Sequence, residues 1–535
     1  MLVLGITHPV CWNTGAAILR DGELLAMAEE ERFIRYKHAP NIAPLKSIEY
    51  CLKVAGATLE DVDVIAVGWD YEVKKSFAQR LMASRNRIFE IQRSRFQQLR
   101  GMLKGVRNKI VYLDHHISHA ASAYLFSGFD QVNVLTIDGS GGDSSGLFGY
   151  ADGARLEEIY RIPNSQSWGN MYTIITEHLG FAPHSAEGKV MGLAAFGTPQ
   201  PERFTFIDWS GDVPEIDPRK FRRFRRGLKR WTNVVAPDQE QKDLAATVQW
   251  TLEQMALKTT EWLARRTGCR NFALAGGCAL NCSMNGFLLR QPHVENIFVQ
   301  PAAYDVGTAL GAAAWVHAQE TGKRPVGTYN HVYLGPEFSN AEIEAALKRF
   351  KISTYRRSDD IAEDTAELLA QGELVGWFQG RMEVGPRALG GRSMLANPGK
   401  REMKDKMNAE VKGREGWRPF APSFLADLAR DYVTVDYPSP FMILAFQGKD
   451  GKIEEIPAAT HVDKTVRVQT VLPETNPVYH AMIRAFHEKT GLPAVLNTSF
   501  NIAGQPIVCT PHDAISTFFG CGLDKLAVGD YLVWK

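Results

Sequence analysis

The chain has 535 residues, 45% of them hydrophobic and 23% charged, with a formal net charge of +1. A globular protein of this length is expected to hold two to four domains with sizeable cores. The near-zero charge gives no whole-chain argument for nucleic acid or a membrane surface, and no apolar run approaches the length of a membrane span.

Met1 to Ile6 reads as a strand rather than a signal peptide, so a cytoplasmic location is expected. The seven cysteines are scattered, with Cys278 and Cys282 the only close pair, and fit a reducing compartment. After the first strand come a loop with His8 and Pro9, a second strand from Gly15, the turn Asp21-Gly22 and a third strand from Glu23 to Glu29. Asp-Gly between two apolar runs is a hairpin signal. Glu29-Glu-Glu-Arg32-Phe33 then opens an acidic-basic segment, and Asp63 to Trp69 is a further strand. Arg85 to Lys109 is basic with apolar residues at mostly helical spacing, as expected of a solvated helix with one packed face.

The strand Ile110 to Leu113 leads into Asp114-His115-His116-Ile-Ser-His119. His115 and His119 are four apart, one above the other on a helix face, and the alanines after them suit close packing. Val132 to Ile137 is an apolar strand that ends in Asp138 and a glycine loop. A strand from Gly146, the turn Asp152-Gly153 and a strand from Leu156 follow. Strand, polar loop, strand, Asp-Gly turn, strand thus occurs twice, the mark of a duplicated α/β unit. It matches the two-lobed actin-like architecture, in which glycine turns cradle phosphate across a cleft.

Glu187 to Gly197 is glycine-rich and carries Lys189, in a setting where lysine often meets phosphate or carbonyl groups. Arg219 to Arg230 is a dense basic run, expected to be a solvated face or mobile flap. Asp238 to Thr267 is a long amphipathic helix with Asp238 and Gln241 placed for a capping box. The strand Phe272 to Ala275 runs into Gly276-Gly277-Cys278-Ala-Leu-Asn281, a ligand-approach turn. The strand Ile297 to Gln300 leads to Asp305, at the mouth of a Gly/Ala-rich helix. Asp305 is the natural fourth partner of His115, His119 and Asp138, and two imidazoles with two carboxylates suit Fe(II), Mn(II) or Zn(II).

Composition turns polar around Gly335 to Asp360, so a boundary is placed there, with domains at 1–345 and 346–535. Helices are expected at Ala341 to Phe350 and Ile361 to Gln371, and a strand at Leu374 to Phe378. Then Gly385-Pro-Arg387-Ala-Leu-Gly390-Gly-Arg392 puts arginine forks in a glycine-rich turn, a pattern for phosphate or carboxylate. Lys412, Arg414, Arg418, His461, Arg467, Asn497 and Ser499 add polar groups, pointing to a second anion pocket.

Together these strings resemble the O-carbamoyltransferases of antibiotic and Nod-factor biosynthesis, the family of the tobramycin carbamoyltransferase. The resemblance runs along the whole chain through Glu29-Glu-Glu-Arg-Phe, Asp114-His-His-Ile-Ser-His-Ala, Glu187-Gly-Lys-Val-Met-Gly-Leu-Ala, Gly276-Gly-Cys-Ala-Leu-Asn, Gly385-Pro-Arg-Ala-Leu-Gly, Arg418-Pro-Phe-Ala-Pro-Ser and Asn497-Thr-Ser-Phe-Asn. It implies an α/β protein with an actin-like N-terminal domain, similar to the tRNA threonylcarbamoyl transferases. The C-terminal α/β domain would be YrdC-like and form carbamoyladenylate. Carbamoyl phosphate and ATP would give O-carbamoyladenylate there, and the N-terminal domain would pass the carbamoyl group to a small-molecule hydroxyl.

The resemblance implies a metal, usually iron, on His115, His119, Asp138 and Asp305, with Mg(II) as a further ion. It implies carbamoyl phosphate or ATP contacts at Arg387, Arg392, Lys412, Arg418, Arg467, Asn497 and Ser499. Lys189, Gly277 and Asn281 would line the N-terminal nucleotide cleft. Asp138, Arg387 and Lys412 are the candidate catalytic residues. Family members often carry His-Asp-Ser or His-Asp-Thr before the first hairpin, where this chain has Trp12-Asn13-Thr14, so His8 is the candidate substitute base. The expected partner is a small hydroxyl acceptor, with no nucleic acid and no membrane; a homodimer is compatible with the sequence. The competing readings are a tRNA-modifying transferase fed by the basic runs, and a carbamoyl donor to a partner protein.

Overall fold

The computed structural model describes residues 1–70, 97–327 and 329–535. Two compact units emerge: Met1–Asn233 with Asp238–Tyr329, and Val234–Pro237 with Asn330–Lys535. Both are α/β.

The first unit contains the same sheet twice. The first sheet runs β3 (Glu23–Glu29), β2 (Gly15–Arg20), β1 (Leu2–Ile6), β4 (Val64–Val67), β5 (Ile110–Tyr112). Strands β1 to β3 form an antiparallel meander, and β4 and β5 add in parallel. In the second sheet β6 (Gln131–Ile137), β7 (Ser144–Asp152) and β8 (Arg155–Pro163) form the meander. A short pair, β9 (Ile207–Asp208) and β10 (Glu215–Ile216), lies outside it. Strands β11 (Asn271–Ala275) and β12 (Asn296–Val299) then add to β6 in parallel. The repeated strand order is the two-lobed actin-like topology that the doubled strand–loop pattern predicts.

Two helices lie at the heart of this unit, His115–Tyr124 and Gly307–Thr321, and they pack on each other. Their small residues permit the approach. A Cβ added at Gly311 would fall 1.7 Å from the Ser118 carbonyl oxygen, and one at Gly5 would fall 1.8 Å from that of Ala309. The expected capping box is present: Asp238 accepts from Gln241 N–H and Gln241 answers to the Asp238 N–H, opening the helix Gln239–Thr267.

Three stretches singled out in the sequence take these forms in the structure. Glu187–Ala194 of the glycine-rich stretch is a helix, since its glycines are outnumbered by good helix formers. The run from Arg219 is also ordered: Pro218–Gly227 is a helix whose Phe221 and Phe224 pack on Phe204 and Phe206, while its arginines face solvent. Of the basic stretch Arg85 to Lys109, residues 85–96 lie outside the described residues; beyond them Leu99 and Leu103 are buried in the first sheet's core.

The second unit is built on one eight-stranded mixed sheet. It runs β13 (Tyr355–Arg357), β22 (Tyr531–Trp534), β21 (Lys525–Val528), β14 (Val375–Phe378), β15 (Arg392–Ala396), β20 (Ala494–Ser499), β16 (Ala421–Leu425), β19 (Gln469–Val471). Two further short strands, β17 (Phe446–Gln447) and β18 (Thr465–Val466), pair separately. One face of the sheet is covered by the helices Asn340–Arg349 and Pro511–Phe519, through Leu347, Ile515 and Phe518. The other is covered by Ile361–Gln371 and Pro477–Thr490, through Leu369, Ile483 and Phe486. Each such fully buried side chain contributes roughly 1.5–3 kcal/mol. The units part between Tyr329 and Asn330, ahead of the expected 345/346 division, which would cut the helix Asn340–Arg349 and strip Ile343 from this core.

Candidate active site and family

The first cluster starts from a helix cap. Asp114 accepts from the N–H groups of His116 and Ile117 at 3.0 and 3.1 Å, and Arg161 holds its other oxygen at 3.0 Å. Such a cap contributes about 1 kcal/mol. It starts the helix that lifts His115 and His119 on one face. Both imidazoles are fully buried, and their rings stand edge to face at 4.6 Å. The Nδ1 of His115 lies 3.3 Å from the Gly68 carbonyl, and its Nε2 faces Asp138. Trp69 stacks on the same ring at 4.3 Å.

Two carboxylates from well-separated parts of the first unit close the cluster, each tied down by one oxygen. Asp138, just past β6, accepts the Gly277 N–H on Oδ1 at 3.1 Å and sets Oδ2 3.2 Å from His115 Nε2 and 3.5 Å from His119 Nε2. Asp305 accepts the Trp12 N–H on Oδ2 at 2.7 Å, with Oδ1 3.7 Å from His115 Nε2. One donor atom from each of the four residues lies within 4.8 Å of the others.

Burial alone would lift Asp138, but the hydrogen bonds from His115 and His119 and their charge hold it well below the usual carboxylate range. Burial, reinforced by Asp138, raises Asp305 against the pull of His115. His115 is raised because the bond to Asp138 and the Asp305 charge outweigh its burial. His116 is pushed down to about 3, by burial first and then by His115; its Nε2–H donates to the Ser144 carbonyl at 3.0 Å.

These donors fit a divalent metal. Two imidazole nitrogens bound side by side to one ion at about 2.1 Å, in octahedral to tetrahedral geometry, sit roughly 3–3.4 Å apart, and the two Nε2 atoms here are 3.1 Å apart. Two nitrogens and two oxygens suit a first-row divalent ion.

The remaining expected residues of this unit take other places. His8 is buried, and its Nδ1 accepts the Val10 N–H at 3.2 Å. Gly277 acts through its N–H on Asp138. Asn281 caps the helix Cys282–Leu289 through Met284 N–H and pairs with Gln249 at 2.8 and 3.0 Å, which in turn bonds Tyr172. This commits its amide to the fold rather than to a nucleotide. Lys189 is half-buried, its ammonium 5.7 Å from the Phe181 ring.

The second unit gathers a second cluster. Glu383, buried, accepts on one oxygen from Leu389, Gly391 and Arg392 N–H at 2.8, 3.3 and 3.0 Å, and so shapes the loop that carries the half-buried Arg387. Gly390 in this loop has φ +100, and a Cβ there would strike the Tyr479 ring at 2.2 Å. Arg414 and Arg418 are mutually repelled and largely desolvated. Arg414 is pushed down to about 8 by burial, then by Arg418 and Arg467, against Glu415. Arg418 is lowered by burial and Arg467, with Glu415 opposing from 3.8 Å. A guanidinium keeps its proton in proteins, so these depressions reflect positive charge that an anion would relieve. Arg467 Nε is buried and has no hydrogen-bond partner among the described residues.

Lys412 and Ser499 come together: the ammonium bonds the Ser499 carbonyl and, at 2.9 and 3.1 Å, the carbonyl and side chain of Asn501. Two expected ligand residues are engaged within the fold. Arg392 is fully buried under the Phe378 ring at 3.7 Å and donates to the carbonyls of Gln379, Gly380, Gly391 and Pro336, so its fork satisfies backbone rather than phosphate. Asn497 is buried, its amide bonded to Ala388, Ser423 and Gln469. Arginine and asparagine beside glycine read as ligand groups in sequence, but buried carbonyls need donors equally.

The structural roles of Trp12, Trp69 and Gln469 escape sequence reading, because each acts across long separations. For Trp12, only its replacement of a family histidine marked the position. Arg414 was legible as positive charge but not as the most strained member of the group.

Comparison with known proteins completes the picture. Residues 3–314 match the family described as Carbamoyltransferase N-terminus, and 366–535 match Carbamoyltransferase C-terminus. The Nodulation protein NolNO of Sinorhizobium fredii is 39% identical over 98% of this chain and 79% of its own. The Nodulation protein NolO of Bradyrhizobium diazoefficiens is 40% identical over 79% of each. The Uncharacterized protein MJ1051 of Methanocaldococcus jannaschii is 32% identical over 100% of both chains. Among solved structures, T. kodakarensis HypF covers 60% of this chain and 48% of its own at 13% identity and a TM-score of 0.36, too faint a likeness to add to the topology. No described helix is long and apolar enough to cross a membrane. With both halves matched and relatives aligned along nearly its whole length, the chain belongs to the carbamoyltransferase family and is a transferase enzyme.

Proposed function

We propose that the chain is an ATP-dependent O-carbamoyltransferase that takes carbamoyl phosphate as its carbamoyl source and a small-molecule hydroxyl as acceptor. The observation that carries this is the group of guanidinium charges on Arg414, Arg418 and Arg467, gathered together with Glu415 as the opposing carboxylate. Carbamoyl phosphate and ATP are the anions this reading assigns to it, with Arg387 and Lys412 contributing.

In the first stage water releases phosphate from carbamoyl phosphate. The resulting carbamate oxygen forms a bond to the α-phosphorus of ATP, and pyrophosphate leaves. The arginines bind the departing anions bidentately and offset the charge they gather. In the second stage the acceptor hydroxyl attacks the carbamoyl carbon, its proton passes to a base, and the bond to AMP breaks. A divalent metal held by His115, His119, Asp138 and Asp305 would supply Lewis acidity to the carbonyl or to the acceptor oxygen. Gly68, Gly277 and the Trp12 N–H hold the ligand side chains in register for it. Free thiols at all seven cysteines accord with a cytoplasmic enzyme. The tRNA reading rests on the basic runs from Arg85 and from Arg219; the second is an exposed helix face, which solubility explains equally well.

The test is carbamoyl-phosphate-dependent pyrophosphate release from ATP, followed by mass-spectrometric detection of hydroxyl compounds heavier by one carbamoyl group. ATP turnover indifferent to carbamoyl phosphate would sink the proposal.

A further inference from the structure

Glycine-rich turns that follow a strand commonly bind anions through their own main-chain amides. The turn that leads from Gly385 into β15 has the composition of such a cradle, but its amides are already occupied. Glu383 Oε1 accepts the N–H groups of Leu389, Gly391 and Arg392 at 2.8, 3.3 and 3.0 Å, and the Gly390 N–H donates to Ser393 Oγ at 3.0 Å. Four consecutive amides therefore face inward, three of them on one carboxylate oxygen. Glu383 is 1% exposed, and its Oε2 has no hydrogen-bond partner among the described residues. A Cβ at Gly391 would lie 2.5 Å from that Oε2, so glycine is what leaves the carboxylate room.

The carbonyl groups of the same turn are held from the other side. Asn497 donates to the Ala388 carbonyl at 3.0 Å, Tyr333 and Gln469 to that of Leu389 at 2.7 and 2.9 Å, and Trp377 and Asn476 to that of Gly390 at 2.9 and 3.4 Å. Ala388 and Leu389 are buried, whereas Arg387 beside them is half-buried. A carboxylate buried on amides is costly to desolvate. A turn that needed only to be closed could be closed by neutral side chains like those that hold its carbonyls. Three amides converging on one oxygen form a nest for an anion, and Glu383 is the anion that the chain itself supplies.

We propose that Glu383 is the positioning residue of the second unit's anion site: it fills the amide nest from within, so that a phosphate or pyrophosphate group meets the Arg387 guanidinium and not the turn. This rests on the assignment of Arg387 to the anionic substrates above. With the nest empty, the three amides would lie unpaired or turn toward the incoming anion, and the guanidinium would lose its fixed approach. A bidentate fork needs both of its N–H groups aimed together. A misplacement of about 1 Å at such a contact costs up to roughly 100-fold.

The test is calorimetric titration of the folded full chain with pyrophosphate, first in chloride and then with acetate replacing chloride at constant ionic strength. Glu383→Ala removes a methylene and a carboxylate, which acetate supplies again. This variant is expected to bind pyrophosphate at least tenfold more weakly than wild type, and acetate is expected to recover at least threefold of that loss while leaving wild type unchanged. Glu383→Gln keeps the accepting oxygen and is expected within threefold of wild type. Glu383→Asp falls one methylene short of the amides and is expected to bind at least threefold more weakly; it carries the test if circular dichroism shows Glu383→Ala to be unfolded. Wild-type affinity in Glu383→Ala or Glu383→Asp, a loss in Glu383→Gln as large as in Glu383→Ala, or a loss that acetate does not reverse would each overturn the positioning role. Arg387→Ala, titrated beside them, is expected to lose affinity without any response to acetate. Wild-type binding by Arg387→Ala would sink the assignment of Arg387 to the anion site, and because no turnover is needed the two failures are told apart.

Discussion

His115 and His119 bring their Nε2 atoms to 3.1 Å of each other, one helical turn apart, with Asp138 Oδ2 facing both. Two lone pairs at that distance repel unless a proton or a cation lies between them. A cation held by both rings and the two carboxylates would resolve the contact, as would a proton on His119 Nε2. The protein reconstituted with Fe(II) is expected to hold about one divalent ion per chain, as a four-ligand site would, and His115→Ala or His119→Ala to hold none. Elemental analysis checks this, and a wild-type protein without metal after reconstitution would refute it.

The arginine group predicts anion-linked stability. Binding to the folded state alone raises stability by roughly 2.7 kcal/mol at a hundredfold excess over Kd. Pyrophosphate is expected to raise the wild-type melting temperature at constant ionic strength, and to do so far less in Arg467→Ala. Equal shifts in the two proteins would move the anion site elsewhere.

The helix crossing predicts a steric lesion. A methyl at Gly311 would lie 1.7 Å from the Ser118 carbonyl oxygen, against backbone that cannot rotate away. Gly311→Ala is expected to destabilise by at least ~1–3 kcal/mol, the usual range for overpacking. Gly56→Ala is no control, because its φ is 59; Gly188→Ala is, since its Cβ meets nothing within 4 Å on the helix Glu187–Ala194. Denaturant midpoints that fall equally in the two variants would contradict the close crossing.

His38 predicts an acid sensitivity. Burial, then Lys37 and Arg32, against Glu29 and Glu187, push it down to about 4 from 6.5. The unfolded chain therefore takes up this proton first, and the contribution to instability grows as pH falls from 6.5 towards 4, then levels off. His38→Gln is expected to lose less stability than wild type between about pH 7 and about pH 5. Parallel losses in both proteins would show that His38 titrates normally.

Much of this was legible before any coordinates. Periodicity and capping chemistry located the helix Ile361–Gln371, the boxed start at Asp238 and the doubled meander, because those signals are local. His115 and His119 could be picked out by their four-residue spacing on one helix, and Asp138 and Asp305 because each lies in a turn after a strand. What stayed hidden was the partner of each group. Trp12 and Asp305 are 293 positions apart, and nothing local in either announces their bond. Arg392 looked like a ligand because its residue type suits phosphate, while the four carbonyls that occupy it come from turns the sequence does not pair.

The central claim is that the two clusters perform different stages. Arg387→Ala would leave an anion without its bidentate partner, a loss of roughly 2–5 kcal/mol, or about 30-fold to several thousand-fold in rate. The decisive measurement is carbamoyl-phosphate-dependent pyrophosphate release by folded His119→Ala and Arg387→Ala, beside transfer from supplied O-carbamoyladenylate. The account predicts that His119→Ala releases pyrophosphate but fails to transfer, whereas Arg387→Ala transfers but fails to release. If His119→Ala loses pyrophosphate release as fully as Arg387→Ala does, the two stages share one site and the division is wrong.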